Sequence, residues 1–385
     1  RSASWNMIEV KSSTSVKDYH RDDIAIQTYA ARSSGVEIES VSLAHIDSSW
    51  TYPGNQDYEG LLKVNDLTKD ALSRHEEVAE WVKQAQSIAK SSTEPTTCMG
   101  NQCTSPFECG FITHCSEGAE IIEFPVKWLP HINAKKVTEL EASGITDLRE
   151  VPNGKLTDLQ LRVKHASISG KPYFDAQGAL NDLSNHPRPC LFLDFESVQF
   201  GVPIWPGTRP YQQICFQFSL HRIGANDDLE HTEFLDLSGS DPSEAFAKSL
   251  IKACGDGTES IFVFNATFEK TRISELASKF PNLQTELQRI NNRIVDLMPI
   301  TKNRFYHPSQ EGSWSIKKVL PALVPELKYS DLDGVQDGNM AVAAYLEAIA
   351  SDTSSDRKIE IEQQLRKYCE LDTYSMVRIW QAFSK

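Results

Sequence analysis

Four apolar, strand-like runs, Leu191-Phe192-Leu193, Tyr211 to His221, His231 to Leu237 and Ile261 to Asn265, stand ahead of a helical block that closes on a long helix from about Asp356 to Phe383. Strands that come first must bury their apolar faces under the helices that follow, so this half is expected to be a mixed sheet of the α/β class flanked by helices. Two further regions lie upstream. Residues 1–120 carry a strand, a helix from about Arg21 to Ser33, a second strand near Glu37 to Ile46, a long polar helix from about Leu67 to Ser91 and a cysteine-rich loop. Residues 121–185 are short and mainly helical, with one helix expected to end at Gly144 and another to begin after Thr146. Helix-turn-helix pieces of this kind contact a DNA backbone or simply join domains, and we read this one as a helical connector. The expected domains are therefore 1–120, 121–185 and 186–385.

Composition narrows the function classes. With 385 residues, 40% apolar and 24% charged, the chain is long enough for two or three cores. No stretch approaches the roughly 18 uninterrupted apolar residues that span a bilayer, so no membrane role is expected. The chain begins at Arg1 and opens almost at once on the strand-like Trp5 to Val10, so further sequence is expected upstream. Four of the eight cysteines crowd between Cys98 and Cys115, while Cys190, Cys215, Cys254 and Cys369 sit singly in apolar or helical surroundings, as reduced core thiols do. A cytoplasmic protein is expected. The net charge of −14 weighs against phosphate binding. Part of that excess is accounted for if carboxylates hold divalent cations.

Such carboxylates are spaced for the task. Asp194 and Glu196 end the run Leu191-Phe192-Leu193, and residues two apart on a strand face the same way. Paired carboxylates repel unless a cation sits between them, although on an edge strand the same pair is a solvated face. A second apolar strand, Ile261 to Phe264, leads into Asn265-Ala266-Thr267-Phe268-Glu269. There Asn265 closes a turn, Thr267 caps a helix, and Glu269 stands in its first turn, where an acid also complements the helix dipole. On the last helix, Tyr368 and Asp372 are one turn apart and share a face.

In that order the three motifs resemble the DEDDy branch of the DEDD 3′→5′ exonucleases, which have a ribonuclease H-like fold. The resemblance implies two Mg²⁺ or Mn²⁺ ions about 4 Å apart that generate a hydroxide nucleophile and stabilise the leaving 3′ oxygen. It further implies that Asp194 bridges both ions, Glu196 and Asp372 bind the nucleophile-side ion, Glu269 serves the other through water, and Tyr368 orients the attacking water. The family's second motif usually ends in Asp, and Glu269 extends the reach by roughly 1.5 Å. Asp296 lies where such folds carry a further acid, able to support a lysine or a substrate hydroxyl or to end a secondary-structure element. Residues 312–320 read as a capped helix whose Lys317 and Lys318 can meet a phosphate backbone, while Trp314 either packs or stacks on a base.

Near the start, Ile8-Glu9-Val10-Lys11 places Glu9 and Lys11 on one strand face, and a helix bearing Gln27 follows. This resembles a RecB-like PD-(D/E)XK nuclease core, and the pair of domains is similar to a bacterial family that joins such a region to an exonuclease-like domain. The resemblance implies that Glu9 binds metal and Lys11 stabilises charge on the attacked phosphate. The upstream acidic strand of that core has no counterpart here, so the domain is read as partial. Cys98, Cys103, Cys109 and Cys115 are spaced by four, five and five residues in a loop containing Pro and Gly. Such a set binds zinc or an iron–sulfur cluster, or forms disulfides; the RecB-like resemblance implies [4Fe-4S], with Zn²⁺ as the alternative and His114 as a substitute for Cys98.

The chain is thus expected to be a nuclease acting on nucleic acid, DNA favoured over RNA. The competing expectation is a catalytically silent binding or scaffold module stabilised by a metal cluster. Protein partners are not legible.

Overall fold

The computed structural model describes residues 4–97, 99–117 and 121–385. The chain divides into two compact units, Arg1–Ile121 with Gln199–Gln212, and Ile122–Val198 with Gln213–Lys385. No helix among the described residues is long and apolar enough to cross a membrane.

The first unit is built on a three-stranded sheet of β1 (Trp5–Lys11), β2 (Ile38–Ile46) and β3 (Leu62–Asp66), in that spatial order. β1 and β2 run parallel, which demands a crossover, and α1 (Asp18–Ser33) supplies it. β3, which carries no alternation legible in the sequence, returns antiparallel to β2. Ile24 of α1 packs with Val41 and Leu43 of β2 and with Leu67 and Ala71 at α2 (Thr68–Ser73). The single helix expected from Leu67 to Ser91 is broken at Arg74, and α3 (His75–Ala89) continues beyond it. Arg74 ties the break down with ion pairs of 2.7 Å to Asp22 and 2.7 Å to Glu77. A short helix, α4 (Ile112–Ser116), ends the cysteine-bearing loop.

The second unit begins with α5 (Ala134–Ala142), α6 (Asp158–Ser169), β4 (Tyr173–Phe174) and α7 (Ala176–Leu183). Its main sheet contains β5 (Cys190–Val198), β6 (Ile214–Ile223), β7 (Leu229–Leu235), β8 (Ile261–Val263) and β9 (Ile294–Asp296), in the order β7-β6-β5-β8-β9. β6 runs antiparallel to both β5 and β7, whereas β8 runs parallel to β5 and β9 parallel to β8. The mixed α/β sheet expected from the strand and helix pattern is present. Helices α8 (Ser243–Cys254), α9 (Thr267–Lys279) and α10 (Gln284–Arg293) intervene between strands; α11 (Leu297–Arg304), β10 (Phe305–Tyr306), α12 (Ile316–Leu323), α13 (Gly338–Ile349) and α14 (Ser355–Phe383) follow. β10 pairs with β4.

Strand alternation sorts the residues of β5 between two cores. Leu191, Leu193 and Phe195 pack with Phe246, Leu250 and Ile273 of α8 and α9. Cys190 and Phe192 pack on the other face with Met376, Trp380 and Phe383 of α14. Asp194 and Glu196 share the parity of Phe192, so they point toward α14. On that helix, Ile361, Leu365, Tyr368, Asp372, Met376, Ile379 and Phe383 recur at steps of three and four and are all buried. Tyr368 and Asp372 thus occupy core positions of an otherwise apolar stripe. The stretch 121–185 packs into the same core, through Leu148, Val163, Ala179 and Leu183.

The turn expected after Gly144 forms differently in detail. Gly144 is left-handed at φ 77°, but the next element is a 3₁₀ turn, Leu148–Glu150, capped by the Asp147 carboxylate rather than by Thr146.

Candidate active site

The two β5 carboxylates meet the α14 carboxylate. Asp194, Glu196 and Asp372 each bring one oxygen to within 4.8 Å of the others. Glu196 is only 9% exposed and Asp372 7%. The register of β5 against β6 shifts immediately after Glu196, where Phe216 of β6 is left without a partner on β5.

Burial, then repulsion from Asp372, Glu196 and Glu269, drives the Asp194 carboxyl well above its ordinary range. Burial and then repulsion from Asp372 raise Glu196 well above its ordinary range as well. Burial lifts Asp372 to about 6, opposed by the Tyr329 hydroxyl, the Lys317 charge and the Tyr368 hydroxyl. Three acids crowded this way favour a bound cation, because each ionised oxygen raises the cost of ionising the next.

Glu269 stands apart from that trio, yet near enough for its charge to raise Asp194. It is 3% exposed, and its Oε2 has no hydrogen-bond partner among the described residues. Burial pushes its carboxyl up to about 8. A buried, unpartnered carboxylate oxygen beside three crowded acids fits a divalent-ion centre with Glu269 as its more distant member.

The turn that presents Glu269 is held by Asp296. Asn265 takes a left-handed φ of 78°, as expected for the residue closing the turn. The helix cap is Ala266, not Thr267, so the exposed amides need another acceptor. Asp296 supplies it: its two oxygens accept the N–H groups of Asn265 and Ala266, each at 3.0 Å, and that of Met298, also at 3.0 Å. Of the roles open to Asp296 in the sequence, the structure realises the element terminus.

Tyr368 is 4% exposed, and burial followed by the charges of Asp372, Glu196 and Asp194 raises its hydroxyl, which stays protonated. Tyr329 was not singled out in the sequence, because it lies in an isolated 3₁₀ turn with no periodicity to flag it. Its hydroxyl donates to Asp372 Oδ1 at 2.6 Å. Lys317 stands with its ammonium 5.1 Å from the Tyr329 ring centre and 5.2 Å from that of Tyr368, and donates to the Gln336 carbonyl at 3.0 Å. Of the two lysines expected to face a phosphate, Lys317 is at the acidic site, while Lys318 is paired with Glu311 at 2.7 Å. Trp314 packs, its Nε1–H donating to the Phe305 carbonyl at 2.9 Å.

Replacing Tyr329 by phenylalanine removes a donor from a buried carboxylate, which should cost about 1.5–3 kcal/mol. Urea unfolding of the metal-free protein near neutral pH reads this directly; an unchanged midpoint would show that the bond contributes nothing to Asp372.

In the first unit, Glu9 and Lys11 lie on one face of β1, and the Lys11 ammonium bonds Glu9 Oε1 at 2.8 Å and also the Asp23 carboxylate. Gln27 donates to the other Asp23 oxygen at 3.2 Å. Asp23 lies within the helix expected from about Arg21, but no local pattern marks it as Lys11's partner; only the α1 crossover brings it there. Its hydrogen bond, then that of Glu9, raises the Lys11 pKa. Lys11 and Asp23 border a cleft of 820 Å³ lined also by Tyr19, His20, Phe107 and Tyr211.

Of the expected cysteine ligands, Cys98 lies outside the described residues. Cys103, Cys109 and Cys115 are free thiols, not disulfides. They do not form a set with donor atoms within 4.8 Å of one another among the described residues. His114 is turned to Glu94, with 2.8 Å between Nε2 and Oε1.

The second unit is therefore a mixed α/β sheet carrying a carboxylate centre between β5 and α14. Residues 191–315 match the family described as "Domain of unknown function (DUF2779)", a stretch that carries Asp194, Glu196 and Glu269 and stops short of Tyr368 and Asp372. The chain is also similar to the uncharacterized protein MG366 of Mycoplasma genitalium, 26% identical over 211 residues. That similarity covers 49% of this chain and 31% of the relative, so the chain spans about a third of that protein's length. No solved structure matches the chain.

Proposed function

We propose that the second unit is a metal-dependent 3′→5′ exonuclease acting on nucleic acid, with DNA favoured over RNA. The observation that carries this reading is the convergence of Asp194, Glu196 and Asp372 from a strand and a distant helix into one buried centre. Asp194, Glu196 and Asp372 would hold divalent ions, Mg²⁺ or Mn²⁺, with Glu269 reaching them through water. When bound, two such ions activate water as a nucleophile and stabilise the leaving 3′ oxygen.

The protein groups around that centre have separate tasks. Tyr368, kept protonated by burial and by its acidic neighbours, orients water by hydrogen bonding. Lys317 offers positive charge to the substrate phosphate, which offsets locally the net charge of −14. Tyr329 and Lys317 favour the ionised form of Asp372. Asp296 fixes the turn from which Glu269 projects.

Degradation of single-stranded DNA labelled at the 3′ end, with Mg²⁺ or Mn²⁺ and with EDTA as control, tests the reading. Metal-dependent release of single nucleotides from that end is expected. The second reading, a binding or scaffold module, draws on Glu269, whose carboxyl at about 8 is largely protonated at neutral pH. Retained DNA binding with no hydrolysis in either metal would establish it instead.

For the first unit we propose a RecB-like PD-(D/E)XK nuclease domain, supported by the Glu9, Lys11, Asp23 and Gln27 array. Glu9 would bind metal and Lys11 would stabilise phosphate charge. Cys103, Cys109 and Cys115, all free, would join Cys98 around a [4Fe-4S] cluster, with Zn²⁺ as the alternative. Protein purified without oxygen should be brown with broad visible absorption; colourless protein containing zinc selects the alternative, and colourless metal-free protein removes both.

A further inference from the structure

Away from the acidic centre, a second group of ligand atoms gathers on the same sheet. His221 of β6 and His231 of β7 are direct partners across the antiparallel pair, and their rings stack with centroids 4.5 Å apart. Glu370 of α14 closes the group, its Oε1 4.0 Å from His231 Nδ1. One donor atom from each of the three lies within 4.8 Å of the others.

Each ring has one nitrogen engaged by a hydroxyl. The Thr373 oxygen lies 2.8 Å from His221 Nδ1 and 2.7 Å from Ser219 Oγ, and its hydroxyl also reaches the Glu370 carbonyl at 3.1 Å. Ser219 Oγ in turn lies 2.9 Å from His231 Nε2. The ring nitrogens turned away from these hydroxyls are His221 Nε2 and His231 Nδ1, and the latter is the atom 4.0 Å from Glu370 Oε1.

We propose that His221, His231 and Glu370 form a binding site for a divalent transition-metal ion of the zinc type, distinct from the carboxylate centre. Two imidazoles with one carboxylate form a ligand set that zinc accepts and that Mg²⁺, which prefers oxygen, does not. Ligands about 2.0–2.1 Å from a tetrahedral ion stand about 3.3 Å apart. The 4.0 Å between His231 and Glu370 must close only slightly, and the Glu370 side chain, 51% exposed, is free to adjust. Ser219 and Thr373 supply the outer hydrogen bonds that fix ring orientation and tautomer in metal-binding histidines. A bound ion would clamp the β6–β7 hairpin to α14, the helix that carries Tyr368 and Asp372.

The imidazole spectrum of the full chain labelled with ¹⁵N-histidine isolates this site, because neither the acidic centre nor the thiols contribute to it. Of the ten histidines, His221 and His231 should shift together at one equivalent of Zn²⁺, the first at Nε2 and the second at Nδ1, and neither should shift with Mg²⁺. His231→Ala should abolish the shift at His221. Thr373→Val, which leaves all three ligands in place, should weaken binding by about 10–100-fold, and Glu370→Gln should weaken it as well. Zn²⁺ that leaves both imidazoles unshifted overturns the proposal, as does a His221 shift that survives undiminished in folded His231→Ala and Glu370→Gln protein.

Discussion

Alanine at Asp194 or at Asp372 should lower metal-dependent release of nucleotides from a 3′ end by ~10³-fold or more. Divalent ions supply several kcal/mol of transition-state stabilisation, and each 1.36 kcal/mol is a factor of about ten in rate. Asp194 and Asp372 belong to the trio whose oxygens lie within 4.8 Å of one another, so losing either dismantles the centre rather than weakening one contact. The same variants should not unfold the protein. Burial holds both carboxyls above their ordinary range, repulsion from Asp372 raises Asp194 further, and removing a charge relieves its neighbours. Thermal unfolding in EDTA should therefore show equal or higher stability for Asp194→Ala than for wild type, whereas in Asp372→Ala the lost Tyr329 bond offsets that relief. Inactive variants that also melt early would point to a structural role, and active variants would sink the site assignment.

Glu269→Gln should stabilise the metal-free protein at pH 8 and flatten the dependence of stability on pH. The Glu269 carboxyl is raised from 4.5 to about 8, chiefly by burial. Between those values the folded chain keeps a proton that the unfolded chain has released. Stability therefore falls as pH rises through this window, by up to about 1.4 kcal/mol per pH unit for the one group. Asp372, raised from 3.8 to about 6, acts with the same sign lower in the range. Glutamine is neutral throughout, so the variant keeps the contribution of the trio and loses that of Glu269. Urea midpoints from pH 4.5 to 8.5 in EDTA would show it. In wild type, added Mn²⁺ should recover stability at the alkaline end, because a bound cation takes the place of the protons. Identical slopes for wild type and variant would mean that Glu269 ionises freely and is not a buried group.

Much of the second unit was legible because periodicity survives folding. The alternation of Leu191-Phe192-Leu193-Asp194-Phe195-Glu196 required both carboxylates to leave the strand on one face, and the spacing of Tyr368 and Asp372 required one helical face. The observed strand and helix obey both. Tyr329 and Asp296 were different. One was not flagged at all, and the other was left with several roles, because their functions lie in partners distant in sequence: Asp372 for Tyr329, Asn265 and Ala266 for Asp296. Likewise nothing local marks Ser219 and Thr373 as the pair that holds the rings of His221 and His231.

By itself the sequence determined which side chains can share a face, since that depends only on the repeat of a strand or a helix. It also determined the α/β class, through the order of strands and helices. Only the tertiary structure decided which faces meet. The approach of α14 to β5 turns two separate motifs into one carboxylate centre, and burial between them raises acids that would ionise normally in water. Electrostatic environment is a property of the packed neighbourhood, and a linear pattern carries no record of the solvent it will lose.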